Sequence, residues 1–287
     1  MTTPVLFDRK LLLARRKRAR RLGAETFLLE RVAEELVERL SAVKRQFALA
    51  LDLGTPGDTL VRLLRNSGQV AKVEANDLFA SDEEALALPD AKFDLAVSAL
   101  ALQWVNDLPG ALVQIRRALK PDGLLLAALV GGETLHELRE SLAAAEAEIT
   151  GGASPRVSPF AEVRSLGALL QRAGYALPVV DSDRHTVRYE TPFKLFQDLR
   201  RMGATNALNE RSRKPLTKKI IARAAEIYSD RFRDPDGKLR ATFDVLWVAG
   251  WVPHPSQQKP LQPGSARTRL ADALGTTEKP AGEKPRR

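Results

Sequence analysis

The stretch Ala48-Leu49-Ala50-Leu51-Asp52-Leu53-Gly54-Thr55-Pro56-Gly57 reads as a buried strand running into a glycine-containing turn, with a helix opening at about Thr59. A short apolar run bounded by turn residues suits a strand covered on both faces. In an open α/β sheet such a strand end is where ligands bind. Glycine there lets the backbone approach a ligand, and an acidic residue about 20 positions on commonly takes ribose hydroxyls. Glu74 lies 22 residues after Asp52, with Asp77 close behind. A lone Asp-x-Gly-x-x-Gly also marks many ordinary strand-turn-helix connections, so the turn does not decide the function by itself.

Outward from that turn, apolar runs alternate with helical spacing: a helix at Thr59–Arg65, a strand at Phe93–Leu100, a helix at Leu108–Leu119 and a strand at Leu124–Leu129. This rhythm predicts a mostly parallel α/β sheet with helices on both faces. Lys120-Pro121-Asp122-Gly123 supplies a turn, with proline setting φ and glycine permitting positive φ. The strand at Phe93 ends in Ser98-Ala99-Leu100 and then Trp104-Val105-Asn106. Trp104 and Asn106 are candidates to shape a substrate pocket, although a buried tryptophan is as often a core residue.

Two helices, within Phe7–Leu22 and Phe27–Leu40, precede the first strand and give an N-terminal helical extension over 1–44. Further helices are expected at Glu133–Ile149 and Pro159–Ala173, and strands at Val179–Tyr189 and Thr242–Val252. Helical segments between those strands predict a cap at about 191–240 inserted before the last strand. The main domain then spans 45–255. Prolines, glycines and charges dominate 256–287, which predicts an extended or disordered tail.

The 287 residues include no cysteine, which excludes disulfides and thiolate chemistry and fits a reducing compartment. No run approaches the roughly 20 apolar residues that span a bilayer. The reading is a cytoplasmic protein with at most peripheral membrane contact. The net charge of +9 is concentrated at the ends, and eight basic residues lie between Arg9 and Arg21. A solvated helix face explains that run more simply than phosphate binding, and without aromatic residues for base stacking no nucleic-acid partner is expected.

Candidate chemistry is sparse. The histidines are His136, His185 and His254, and none forms the His-x-Asp/Glu pair of a non-haem iron site. Glu133, His136, Glu137 and Glu140 fall at helical spacing, but an exposed acidic face is the simpler reading and no metal site is assigned. Asn206 from the cap, with Trp251 and His254 at the end of the last strand, are candidates to face a substrate. Packing explains the spacing of Trp247 and Trp251 at least as well.

Asp52-Leu53-Gly54, Phe93-Asp94-Leu95, Leu102-Gln103-Trp104-Val105-Asn106-Asp107 and Leu119-Lys120-Pro121-Asp122-Gly123 resemble class I (Rossmann-like) S-adenosylmethionine-dependent methyltransferases related to malonyl-carrier methyltransferases. Gly131-Gly132-Glu133-Thr134-Leu135, Ser158-Pro159-Phe160 and Arg201-Met202-Gly203-Ala204-Thr205-Asn206 are similar to the respiratory complex I assembly factors that hydroxylate an arginine. The resemblance implies S-adenosylmethionine as cofactor. Asp52, Gly54 and Gly57 would then line its methionine end, Glu74 its ribose, and Asp82 with Glu83 its adenine edge, while Ser98 and Leu100 close the crevice. It also implies a respiratory NADH dehydrogenase subunit as partner. Three functions stay open at this point: a protein-arginine hydroxylase, a methyltransferase acting on a small molecule or carrier-bound acid, and an assembly scaffold without cofactor. The turn departs from Gly-x-Gly-x-Gly at Thr55-Pro56, and the 18 residues between Glu74 and Phe93 leave less room than the usual helix and strand need.

Overall fold

The computed structural model describes residues 5–78, 85–258, 265 and 268–277. The chain divides into two compact units, Met1–Pro253 and His254–Arg287. In the first, β1 (Phe47–Leu53), β2 (Val70–Asn76), β3 (Phe93–Ala99), β4 (Leu119–Val130), β5 (Ala176–Tyr189) and β6 (Leu239–Trp251) form one sheet in the order β2-β1-β3-β4-β6-β5. β1 runs parallel to β2 and β3, and β3 parallel to β4. β6 runs antiparallel to both β4 and β5. The mostly parallel α/β sheet expected from the sequence is therefore present, with the order reversing between β1 and β3. That switch point is where such a sheet opens a crevice.

The sheet alternates its buried side chains between two helical layers, as the period-2 pleat requires. One layer holds α2 (Phe27–Ser41), α3 (Thr59–Asn66), α5 (His136–Thr150), α7 (Pro192–Arg201) and α8 (Lys218–Phe232), packed with Leu95, Val97, Leu124 and Leu126. The other holds α1 (Arg9–Arg21), α4 (Leu108–Ala118) and α6 (Val163–Arg172), packed with Leu51, Leu53, Ala96, Leu125 and Leu129. The residues read as an N-terminal extension thus contribute one helix to each layer. The cap expected at 191–240 corresponds to α7 and α8, between β5 and β6. Among the described residues no helix is long and apolar enough to cross a membrane.

Several local expectations change. β2 reads Val-Ala-Lys-Val-Glu-Ala-Asn, with only Val70 and Val73 buried, so its apolar signal is too weak to mark a strand. No helix or strand occurs among the described residues between β2 and β3; 79–84, including Asp82 and Glu83, lie outside the described residues. Lys120–Gly123 is a bulge inside β4, where the pairing steps from Phe93↔Leu119 to Leu95↔Leu124. Positive φ falls on Asp122 (+61°), not on Gly123. Gly123 is needed for room instead, since a Cβ there would lie 2.8 Å from the Lys120 carbonyl oxygen. In the second unit α9 (Leu270–Leu274) forms a short helix within the stretch read as an extended or disordered tail.

Candidate functional site

A cavity of about 890 Å³ opens at the carboxyl ends of β1 and β2. Its floor is the turn after β1. Gly54 takes φ +73°, and a Cβ on it would stand 2.6 Å from Leu78 Cβ and 3.2 Å from Ala101 Cβ. Gly54 N–H donates to the Asn76 carbonyl (2.8 Å), and Thr55 Oγ1 accepts from Ala99 N–H (2.9 Å), tying the turn to both neighbouring strands. Thr55 thus fixes the turn through its side chain, next to Pro56, which stands where the familiar pattern has its second glycine. Gly57 takes φ +76° with open space around it.

Asp52 sits at the end of β1, 2% exposed, and lines the cavity. Burial pushes its carboxyl up to about 6, opposed by hydrogen bonds from Thr55. Its Oδ1 is buried with no hydrogen-bond partner among the described residues, and the same holds for Asn76 Oδ1 and Gln103 Oε1, both also in the cavity wall. Buried acceptors left without donors are costly, so three of them converging on one cavity fit a ligand that brings donors.

The sequence candidates separate clearly. Asp52, Gly54, Gly57, Leu100, Trp104 and Asn206 line the cavity. Glu74 does not: it is paired across the surface with Lys92 (2.6 Å) and Lys72 (3.3 Å), which hold its carboxyl below the usual range. The register explains this, because Asp52 pairs with Ala75, so the strand end that faces the crevice is Asn76, followed by Asp77. Ser98 is buried and its hydroxyl donates to the Leu53 carbonyl (2.7 Å), clamping β3 to β1. Asn106 accepts from Phe7 N–H at 2.7 Å and donates to the Phe7 carbonyl at 3.3 Å, pinning the chain before α1. Trp104 stacks edge-on with Phe7 and Phe160 at centroid distances of 5.3 and 6.0 Å.

Asn206 spends both ends of its amide on the protein, donating to the Pro155 carbonyl (2.8 Å) and accepting from Leu208 N–H (3.0 Å). Trp251 is a correction. β6 is antiparallel, so its last residue pairs with Leu124 at the opposite end of the sheet from the cavity, with the Arg45 guanidinium 5.9 Å from its ring centroid. His254 belongs to the second unit, where its Nδ1 lies 2.7 Å from Ser256 Oγ.

Sequence reasoning missed the roof. α1 turns Arg15, Arg16 and Arg20 to the cavity, and α7 with the segment after it contributes Phe196, Leu199 and Arg201 to Asn206. Burial lowers both Arg15 and Arg16 to about 10, which leaves them charged at neutral pH. The solvated reading of this basic run is therefore corrected for Arg15 and Arg16 and stands for Lys17, Arg20 and Arg21, which are exposed. Leu135, Leu138, Leu142 and Phe243 make the cavity's apolar wall. That wall is held by Glu137, fully buried, which accepts from Thr242 Oγ1 (2.6 Å) and Thr242 N–H (3.2 Å). Glu137 thus faces the core rather than an acidic surface with Glu140, and no metal-holding group of three His, Asp or Glu side chains occurs among the described residues.

A doubly layered sheet of this order, with a cavity at the first strand's carboxyl end, defines a methyltransferase-type α/β protein. A Methyltransferase domain family model matches residues 24–178, and the chain belongs to that family. It is 39% identical over 262 residues to "Arginine-hydroxylase NDUFAF5, mitochondrial" of Danio rerio, covering 86% of this chain and 81% of that protein. The corresponding Homo sapiens protein is 39% identical, covering 91% and 81%. "Malonyl-[acyl-carrier protein] O-methyltransferase" of Halorhodospira halophila is 35% identical, covering 81% and 84%. A Bacillus halodurans candidate methyltransferase of known structure superposes with a TM-score of 0.51 at 16% identity, covering 77% of this chain and 99% of that one, and shares the fold.

Proposed function

We propose that the protein binds S-adenosylmethionine in the cavity and modifies a protein side chain, an arginine of a respiratory NADH dehydrogenase subunit, during assembly of that complex. The similarity to arginine hydroxylases over more than four-fifths of the chain carries the choice of reaction. Asp52 carries the cofactor assignment. Its unpartnered Oδ1 would accept from the ammonium of the methionine end, Gly54 and Gly57 would let the backbone approach, and Asn76 with Asp77 would take the ribose hydroxyls in place of Glu74. Leu100, in the cavity wall, would pack against the cofactor. When bound, S-adenosylmethionine supplies an electrophilic methyl group and a positive sulfonium. Oxygen insertion needs an oxidant that side chains do not supply. The chain's own part is to orient the ligands and, with α1 and the cap over the crevice, to exclude water.

At about 890 Å³ the cavity stands near the top of the usual 300–1,000 Å³ range for small-molecule sites, which leaves room for a substrate side chain beside a cofactor. Titration calorimetry with S-adenosylmethionine tests the first half: wild type binds, and Asp52→Ala weakens binding at least tenfold. Mass spectrometry of NADH dehydrogenase subunits from cells lacking the protein tests the second, with loss of one oxygen atom from a specific arginine as the expected result. Unchanged subunits overturn the assigned reaction.

A further inference from the structure

A second, smaller pocket of about 360 Å³ shares Arg15, Arg156, Asn206 and Leu216 with the main cavity and so adjoins it, as an antechamber would. Its remaining lining is the run Arg211-Ser212-Arg213-Lys214-Pro215. Five cations meet there with few counter-charges. Arg156 is paired with the buried Glu146, and Arg211 with Asp8 at 3.0 Å. Arg213 also acts on Asp8, while Arg15 feels Asp8, Arg18 and Arg211, so one carboxylate serves three guanidiniums. Arg15 Nη1 is a buried donor with no partner among the described residues. Like charges gathered in a concave, partly desolvated site repel one another and await anions.

We infer that this antechamber docks an acidic peptide segment, placing carboxylates of the substrate protein beside the side chain that enters the main cavity. The inference rests on the reading of a protein-arginine substrate and explains a difficulty in it. An isolated arginine is repelled from a mouth lined by guanidiniums, whereas acidic residues flanking it in the same peptide reverse the sign of the encounter. The pocket's concavity favours one or two carboxylate side chains over a flat lipid surface, and its lining lacks the aromatic residues that stack bases.

The test is fluorescence anisotropy with a labelled peptide of one arginine flanked by glutamates, against the same peptide with every glutamate replaced by glutamine. Wild type should bind the acidic peptide at least about tenfold more tightly, with an affinity that falls as salt rises. The pair R213E/K214E, at exposed positions that do not threaten folding, should abolish that preference, and K17E/R21E, exposed on α1 outside both pockets, should retain it. Equal binding of the two peptides overturns the inference, as does an equal loss with K17E/R21E, which would mean net charge alone. Loss by R213E/K214E of binding to anionic phosphatidylglycerol vesicles, with peptide binding intact, also overturns it in favour of a membrane surface. The assigned reaction is read separately, by mass spectrometry of NADH dehydrogenase subunits from cells lacking the protein: unchanged subunits fail that reaction while a positive docking result stands.

Discussion

At the scale of single residues, the site trades stability for ligand binding. Asp52 holds its proton more tightly folded (about 6) than unfolded, so folding stability falls as pH rises between those two values and the full penalty applies above pH 6. Asp52→Asn should therefore stabilise the ligand-free protein at pH 7 by about 2–3 kcal/mol, an advantage that shrinks towards pH 5. The same substitution should weaken S-adenosylmethionine binding, and wild-type affinity should fall as pH drops below 6; urea melts and calorimetry across that range check both. Gly54→Ala meets Leu78 and Ala101 as well as a left-handed backbone, and should cost more than about 2 kcal/mol, whereas Gly57→Ala meets open space and should cost about 1 kcal/mol. Equal losses in chemical denaturation would show that the close approach at Gly54 is not what requires the glycine. The glycines and Asp52 were legible in the sequence because a turn motif is local. Glu74 was misplaced because counting from Asp52 gives a distance but not a register.

At the scale of elements, α1 depends on a polar clasp. Asn106→Ala removes both hydrogen bonds to Phe7 and leaves that backbone short of partners, a loss of about 1–3 kcal/mol. Hydrogen exchange should rise across residues 7–21 more than in β1 or β3, and S-adenosylmethionine should bind more weakly because α1 roofs the cavity. Uniform acceleration across the sheet would contradict a local clasp. The strands β1, β3 and β4 announced themselves through continuous apolar runs, since both of their faces are covered. β2 did not, because most of its side chains stay partly exposed, and Trp251 was assigned to the wrong end of the sheet because strand direction is not written in a strand's own residues. Arg15 and Arg16 on α1 looked solvated for a similar reason: what covers a helix is decided by segments two hundred residues away.

At the scale of the whole molecule, ligand binding and folding are linked. S-adenosylmethionine at 100 times its Kd should add about 2.7 kcal/mol to the folded state, which in a unit of this size raises the melting midpoint by roughly 5–10 °C; at the same concentration the Asp52→Ala protein, bound at least about tenfold more weakly, should show at most about half that rise. The cavity is assembled from both ends of the first unit. Phe7 bridges to Leu208, Asp8 N–H donates to the Ala207 carbonyl at 2.8 Å, and Gly203 lies so near α1 that a Cβ on it would stand 3.2 Å from Arg16 Cα. A nascent chain emerging at about 5–20 residues per second therefore carries its first helix for roughly 10–40 s before the surface that receives it has been made. Throughout that interval its leucines are open to chaperones, and a product truncated before the 196–206 segment lacks part of the cavity wall, so a filled cavity would report that synthesis has run past that segment.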